Sequence, residues 1–202
     1  MGEIIDYNAI NGWYSMSDEK LLREVCNLLP DKSLIVEFGF FMGKSAMIMA
    51  SETWNRNCHI VSFDDLSHSD FNNVLNLTVK DNPMRLVRHY GLENKITLHI
   101  LDYYNYYVLR ERVKKELDKY QFKGIGLLHI DGEHSMADVA YCFCALIDFI
   151  LPEGFIVLHD TEEFPAPKQF VKWVEDANCE FKVFARTEQI MGVTAFRKDG
   201  YG

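Results

Sequence analysis

The stretch SLIVEFGFFMGKSAMIMASE, residues 33–52, sets a strand, a glycine-bounded turn and a helix in one line. Ser33 to Phe38 is apolar except for Glu37 near its end, as expected of a strand buried on both faces of a parallel sheet. Gly39 stops the strand, and Gly43 to Glu52 reads as a helix. Three residues, Phe40, Phe41 and Met42, separate the glycines where a phosphate-binding P-loop has four. GxGxxG is also missed, because residue 41 is Phe. The pattern that remains is ExGxxxGxS, Glu37 through Gly39 and Gly43 to Ser45. Its glycines allow a tight turn and close backbone approach, and its acid stands on the strand itself. Such a turn alone fits an ordinary strand-to-helix junction as well as a cofactor loop. Its context favours the loop, since Asp64 lies 25 residues beyond Gly39 at the end of the next strand. An acid there can accept both hydroxyls of a ribose.

Outward from this unit the alternation repeats. Ser17 to Leu29 is an amphipathic helix with Ser17 as its N-cap and Pro30 as its stop. His59 to Phe63 is a strand closed by Asp64 and Asp65. A helical pattern from Phe71 to Tyr90 is broken at Pro83. Lys95 to Leu101 is a strand, Asn105 to Tyr120 a helix, Ile125 to Ile130 a strand, and Ser135 to Leu151 an apolar helix. A turn at Pro152-Glu153-Gly154 leads into the strand Phe155 to Leu158, followed by a helix from Pro167 to Asp176. Strands at Phe181 to Ala185 and Gly192 to Phe196 close the chain. Five strand-helix units imply an α/β fold with a doubly wound parallel sheet covered on both faces. Arg186 to Met191 is too short for a crossover, so the last two strands should form an antiparallel hairpin, giving a mostly parallel seven-stranded sheet.

The 202 residues carry 21 Lys+Arg against 30 Asp+Glu, a net charge of −9. A general binder of nucleic acid or anionic membrane would work against that field, so neither partner is expected. With 48% hydrophobic residues the chain can bury a large core, and residues 1–202 are expected to form one domain. No apolar run approaches the ~20 residues of a membrane span. Met1 to Asp6 lacks a cationic region followed by an apolar stretch, and Gly2 is followed by Asp6 where myristoylation needs Ser or Thr, so a cytoplasmic protein is expected. The five cysteines lack metal-ligand spacing and read as buried reduced thiols, with Cys142 and Cys144 pointing apart on a helix.

In open α/β sheets ligands bind beyond the carboxyl ends of the strands. Those ends carry Glu37 and the loop, Asp64 and Asp65, Asp102, then Asp131 with Glu133 and His134, then His159, Asp160 and Thr161. Acids gathered at one rim repel one another, which points to a cationic ligand or a metal. His129, inside its strand, reads as a core histidine.

Taken together, VEFGFFMGKS (36–45), IVSFDD (60–65), YGLENKITLHILD (90–102), LLHIDGEHSMADV (127–139) and LPEGFIVLHDT (151–161) resemble class I S-adenosylmethionine-dependent methyltransferases. The nearest likeness is to the small O-methyltransferase group with macrocin O-methyltransferase-like and cephalosporin hydroxylase-like enzymes. It spans roughly residues 17–196, and IDGEH followed by VLHDT is its most specific part. The resemblance implies a Rossmann-like methyltransferase fold and transfer of a methyl group from S-adenosylmethionine to an oxygen of a small-molecule, sugar or glycan acceptor. Glu37, Gly39 and Gly43, with Phe40 and Ser45, would meet the methionine part of the cofactor. Asp64, or else Asp65, would hold the ribose, Asp102 and Tyr103 would lie near adenine, and Asp131 would border the cofactor. In metal-dependent members Asp131 and Asp160 would bind a divalent ion, Mg²⁺ or Mn²⁺. His159 stands where such members have an acid, which suits Mn²⁺, Fe²⁺ or Zn²⁺ better than Mg²⁺. His134 matches the general base of the family, with Asp131 beside it. Two rival functions remain: a Zn²⁺ hydrolase built on His134, His159 and Asp160, and a methyltransferase-like binding module without catalysis. The segments expected to shape the acceptor pocket (1–16, 67–94 and 162–168) carry no readable motif, and a homo-oligomer is compatible with all of this.

Overall fold

The computed structural model describes residues 10, 12, 14–66, 84–100, 105–177, 179–189 and 191–200. Along the chain run α1 (Met16–Leu28), β1 (Leu34–Phe38), α2 (Lys44–Glu52), β2 (His59–Asp64), α3 (Arg85–His89), β3 (Ile96–Ile100) and α4 (Tyr106–Tyr120). Then come β4 (Ile125–Ile130), α5 (Met136–Leu146), β5 (Ile150–His159), α6 (Pro165–Asp176), β6 (Phe181–Arg186) and β7 (Val193–Lys198). The seven strands lie in the order β3-β2-β1-β4-β5-β7-β6. The first five are mutually parallel, and β7 runs antiparallel to both β5 and β6. This is the doubly wound sheet with a terminal hairpin that the alternation predicts.

Side chains alternate across the sheet and build two cores. Ile35, Leu127 and Val157 pack with Leu22, Val25 and Met47 of α1 and α2. Val36, Leu128 and Ile156 face Leu109, Val139, Phe143 and Phe170 of α4, α5 and α6. Every residue of β1 and β4 is buried, as the continuous apolar runs predict.

Several boundaries differ from the sequence reading. The N-cap of α1 is Ser15, not Ser17, because Ser15 and Asp18 form the reciprocal capping box. Helix α5 ends at Leu146, and a 3₁₀ turn over Ile147–Phe149 leads straight into β5. The Pro152-Glu153-Gly154 segment therefore lies within β5, where the pairing with β4 shifts register between Ile125 and Leu127. An unbroken apolar run does not separate buried helix from buried strand, which is why Ser135 to Leu151 reads as one element. Helix α6 begins at Pro165, two residues earlier than expected, with proline in its first turn. Of the pattern from Phe71 to Tyr90, only the part after Pro83 lies within the described residues. Cys142 is buried and Cys144 exposed, so these two thiols diverge as expected, but neither Cys144 nor the half-buried Cys179 is a core thiol.

The sheet order places the topological switch point between β1 and β4. There Gly39 has φ +89°, and a Cβ on it would lie 1.9 Å from the backbone oxygen of Asp131. Gly43, with φ +76°, would drive a Cβ to 2.6 Å from the buried Phe40 ring. The glycines serve contacts within the protein: one lets the β1 and β4 ends meet, the other lets the loop fold over its own phenylalanine.

Gly39→Ala combines a left-handed backbone with a backbone collision. It should cost about 2–4 kcal/mol, read as a lower midpoint in urea unfolding, whereas Gly91→Ala, with nothing within 4 Å, should cost less.

Candidate active site at the strand ends

Asp64, the last residue of β2, accepts three backbone N–H groups. Its Oδ2 binds Phe40 N at 2.6 Å and Phe41 N at 2.8 Å, and its Oδ1 binds Leu66 N at 2.6 Å. These bonds hold the glycine loop down on the end of β2 and support positive φ at Phe41 and Leu66, where a side chain is strained. The first sequence candidate for the ribose is thus engaged within the protein. Asp65, one residue on, is exposed.

Glu37 is wholly buried. Ser45 Oγ donates to its Oε1 and Ser62 Oγ to its Oε2, each at 2.5 Å, and His129 Nδ1 lies 3.5 Å from Oε1. Such saturation suits a carboxylate enclosed by the sheet, which would otherwise be costly to bury. Glu37, Phe40 and Ser45 therefore turn their side chains inward, and of the loop phenylalanines only Phe41 is part-exposed. Tyr14, ahead of α1, completes the network through a hydrogen bond between its Oη and His129 Nε2. No sequence signal marks Tyr14, since it lies outside any periodic element.

The ends of β4 and β5 bring four predicted residues together. His134 Nε2 is hydrogen-bonded to Asp160 Oδ2 at 2.5 Å, and its ring stacks on Phe164 with centroids 3.8 Å apart. His159 Nδ1 lies 3.0 Å from both Asp131 Oδ1 and Asp160 Oδ1. Neither contact has hydrogen-bond geometry, which leaves His159 Nδ1 and Asp160 Oδ1 buried without a hydrogen-bond partner. Asp160 holds φ +60°, a further strained non-glycine at this rim. Asp131, His134 and Asp160 each place one ligand atom within 4.8 Å of the others. Thr161, a rim residue in the sequence reading, is buried and accepts a hydrogen bond from Thr194 at 3.1 Å. Asp102 and Tyr103 lie outside the described residues.

The charges follow from this packing. The hydrogen bond to Asp160 raises the His134 imidazole above its ordinary range, against partial burial. Burial alone would lower His159, but Asp131 and Asp160 overcome it and hold the ring protonated up to about 10. Burial would raise Asp160, yet the two histidines beside it bring it to about 2. Burial, then the negative charges of Asp131 and Glu37, push the Tyr14 phenol well above its usual value.

A methyltransferase domain family matches residues 36–161, which include the glycine loop and the whole His/Asp cluster. No protein of curated function is significantly similar to the chain in sequence. Among solved structures, an O-methyltransferase from Bacillus cereus in complex with SAH aligns over 95% of this chain and 85% of its own, with TM-score 0.64 and 13% identity. The O-methyltransferase TomG from Streptomyces achromogenes, involved in tomaymycin synthesis and solved with SAM, covers 93% and 82%, with TM-score 0.63 and 15% identity. An rRNA methylase from Streptococcus thermophilus covers 93% and 99%, with TM-score 0.61 and 12% identity. At such identities the likeness is one of fold, and that fold is shared by enzymes named for unlike acceptors.

An NMR titration of the metal-free protein should place the His134 midpoint above the ordinary value near 6.5. Asp160→Asn should lower it, because the bond that favours the imidazolium is weakened. A midpoint unmoved by that substitution would show that the 2.5 Å contact does not persist in solution.

Proposed function

We propose that this chain, which belongs to the methyltransferase domain family, transfers a methyl group from S-adenosylmethionine to a hydroxyl oxygen of a small acceptor, with a sugar or glycan the leading class. The observation that carries the reading is the His134–Asp160 pair, set on the rim at the carboxyl ends of β4 and β5 within the matched region. A base held by a carboxylate is what removal of a hydroxyl proton requires. The acceptor class rests on family likeness and on the net charge of −9, which disfavours a nucleic-acid acceptor.

The donor set fits a cationic nucleoside cofactor. Of the two candidate carboxylates for vicinal ribose hydroxyls, Asp65 is the exposed one, beside Asp64 with its three loop bonds. Asp131, at the switch point, supplies negative potential for a sulfonium. When bound, S-adenosylmethionine supplies an electrophilic methyl group. The protein's part is to hold the acceptor oxygen in line with it and to remove the proton. Asp160 accepts from His134 Nε2–H, so Nδ1 carries the lone pair that receives the hydroxyl proton. Asp160 then stabilises the imidazolium. Because His134 must be neutral to act, turnover should rise with pH through its raised pKa.

Among the described residues the ligand atoms close enough for a divalent ion belong to Asp131, His134 and Asp160, and His159 Nδ1, 3.0 Å from both acids, is the alternative third ligand that leaves His134 to act as base. A ligand set of Asp131, His159 and Asp160 favours a first-row transition ion over Mg²⁺. Such an ion would lower the pKa of the acceptor hydroxyl and orient it. It must displace the proton that the acids hold on His159, so its affinity should climb as pH rises.

S-adenosylhomocysteine should raise the melting temperature, and Asp65→Ala should weaken its binding by roughly tenfold or more. Stabilisation by Zn²⁺ without any response to S-adenosylhomocysteine would instead favour a metal-dependent hydrolase. With labelled S-adenosylmethionine and a panel of hydroxylated acceptors, His134→Ala should lower kcat about 10²–10⁴-fold and leave S-adenosylhomocysteine affinity near wild type. Unchanged turnover would remove His134 as the base, and full activity after exhaustive chelation would remove the metal.

A further inference from the structure

Among the described residues, those just before α1 form a strap across the carboxyl ends of β4 and β5. Tyr14 is its centre, only 9% exposed although it lies in no regular element. Its ring stacks on His159, with centroids 4.4 Å apart and planes 14° from parallel. Its hydroxyl is bonded to His129, whose other ring nitrogen faces the buried Glu37. The strap is anchored at several points. Lys44 Nζ reaches the Tyr14 carbonyl at 3.5 Å, and the Lys44 stem lies against Gly12. Ser15 is closed to Asp18 by the capping box, and Asp18 accepts a hydrogen bond from Thr187 beyond β6. The strap precedes residue 36, where the family match begins.

His159 needs such a support. Neither of its ring nitrogens has a hydrogen-bond partner, so hydrogen bonding does not set the plane of the ring. The face of Tyr14 does. With the ring clamped flat, Nδ1 is held toward Asp131 and Asp160 at 3.0 Å from each. Rotation of the ring would move that nitrogen away and leave two carboxylates facing one another.

We propose that Tyr14 is a positioning residue for the strand-end centre, clamping the His159 imidazole by its ring and keying that clamp to Glu37 through its hydroxyl and His129. The two halves of the side chain then do separable work. The stack orients His159, and the hydroxyl fixes His129. The consequence for metal binding rests on the ligand set assigned above; the orientation of His159 does not.

The test uses ¹⁵N-histidine spectra of the metal-free protein, assigned with His159→Gln and His129→Gln, together with Co²⁺ titration followed by its visible absorption. Tyr14→Phe keeps the stack, so it should shift the His129 ring signals, leave those of His159 in place and bind Co²⁺ like the wild type. Tyr14→Leu removes the stack while keeping apolar bulk, so it should move the His159 signals. It should also weaken Co²⁺ binding by roughly tenfold or more and alter its absorption. If Tyr14→Leu does not fold, Tyr14→Met serves the same purpose. Unmoved His159 signals in the folded Leu or Met variant would overturn the proposal, as would a His159 shift in Tyr14→Phe as large as theirs. If the wild-type protein takes up no Co²⁺, the metal assignment fails, and the ring spectra decide the role of Tyr14 on their own.

Discussion

The approach of β1 to β4 at the switch point is the constraint on which the rest of the structure depends. At Gly39 the chain passes so close to the Asp131 carbonyl that a Cβ would lie 1.9 Å from it. The same meeting is closed by backbone bonds, Gly39 N to Phe63 O at 3.0 Å and Asp131 N to Phe38 O at 2.9 Å. Three strand ends are thereby tied at one place. The glycine loop, the Asp64 anchor and Asp131 take their positions from that knot, which lies at the edge where open α/β sheets in general bind ligands.

Around the knot the acids of the rim divide into two kinds of work. Glu37 and Asp64 are hydrogen-bonded within the protein, one inside the sheet by Ser45 and Ser62, the other to loop N–H groups. Asp131 and Asp160 bear on the histidines of the site, drawing His159 up to about 10 against its burial. A cluster of like charges at a strand end is repulsive unless cations or donors sit among them. Here His134 and His159 supply part of that compensation, and a cationic cofactor would supply more.

Much of the architecture was legible from pattern alone. Strands buried on both faces leave continuous apolar runs, as in Leu34–Phe38 and Ile125–Ile130, and the short Arg186–Met191 link requires a hairpin. The same signal failed where helix passes directly into strand at Ile147–Phe149, because both elements are apolar there and periodicity does not divide them. Within the site, Asp131, His134, His159 and Asp160 were found as strand-end residues, and the structure brings them into one cluster. That Asp64 would bond the glycine loop was not readable, since adjacent residues at a strand end differ only in which way the chain turns next.

The amino-acid sequence by itself determined the doubly wound sheet, its terminal hairpin and the rim at which chemistry-bearing residues collect. Those properties follow from local periodicity, glycine placement and loop length, which act over a few residues. The tertiary structure alone decided that Asp64 serves the loop, that Asp160 bonds His134 and lies beside His159, and that Tyr14 reaches across 115 positions to His129. The physical reason is that hydrogen-bond and stacking partners are chosen by direction and distance between segments remote in the chain. No local pattern encodes that geometry until the strands have been packed together.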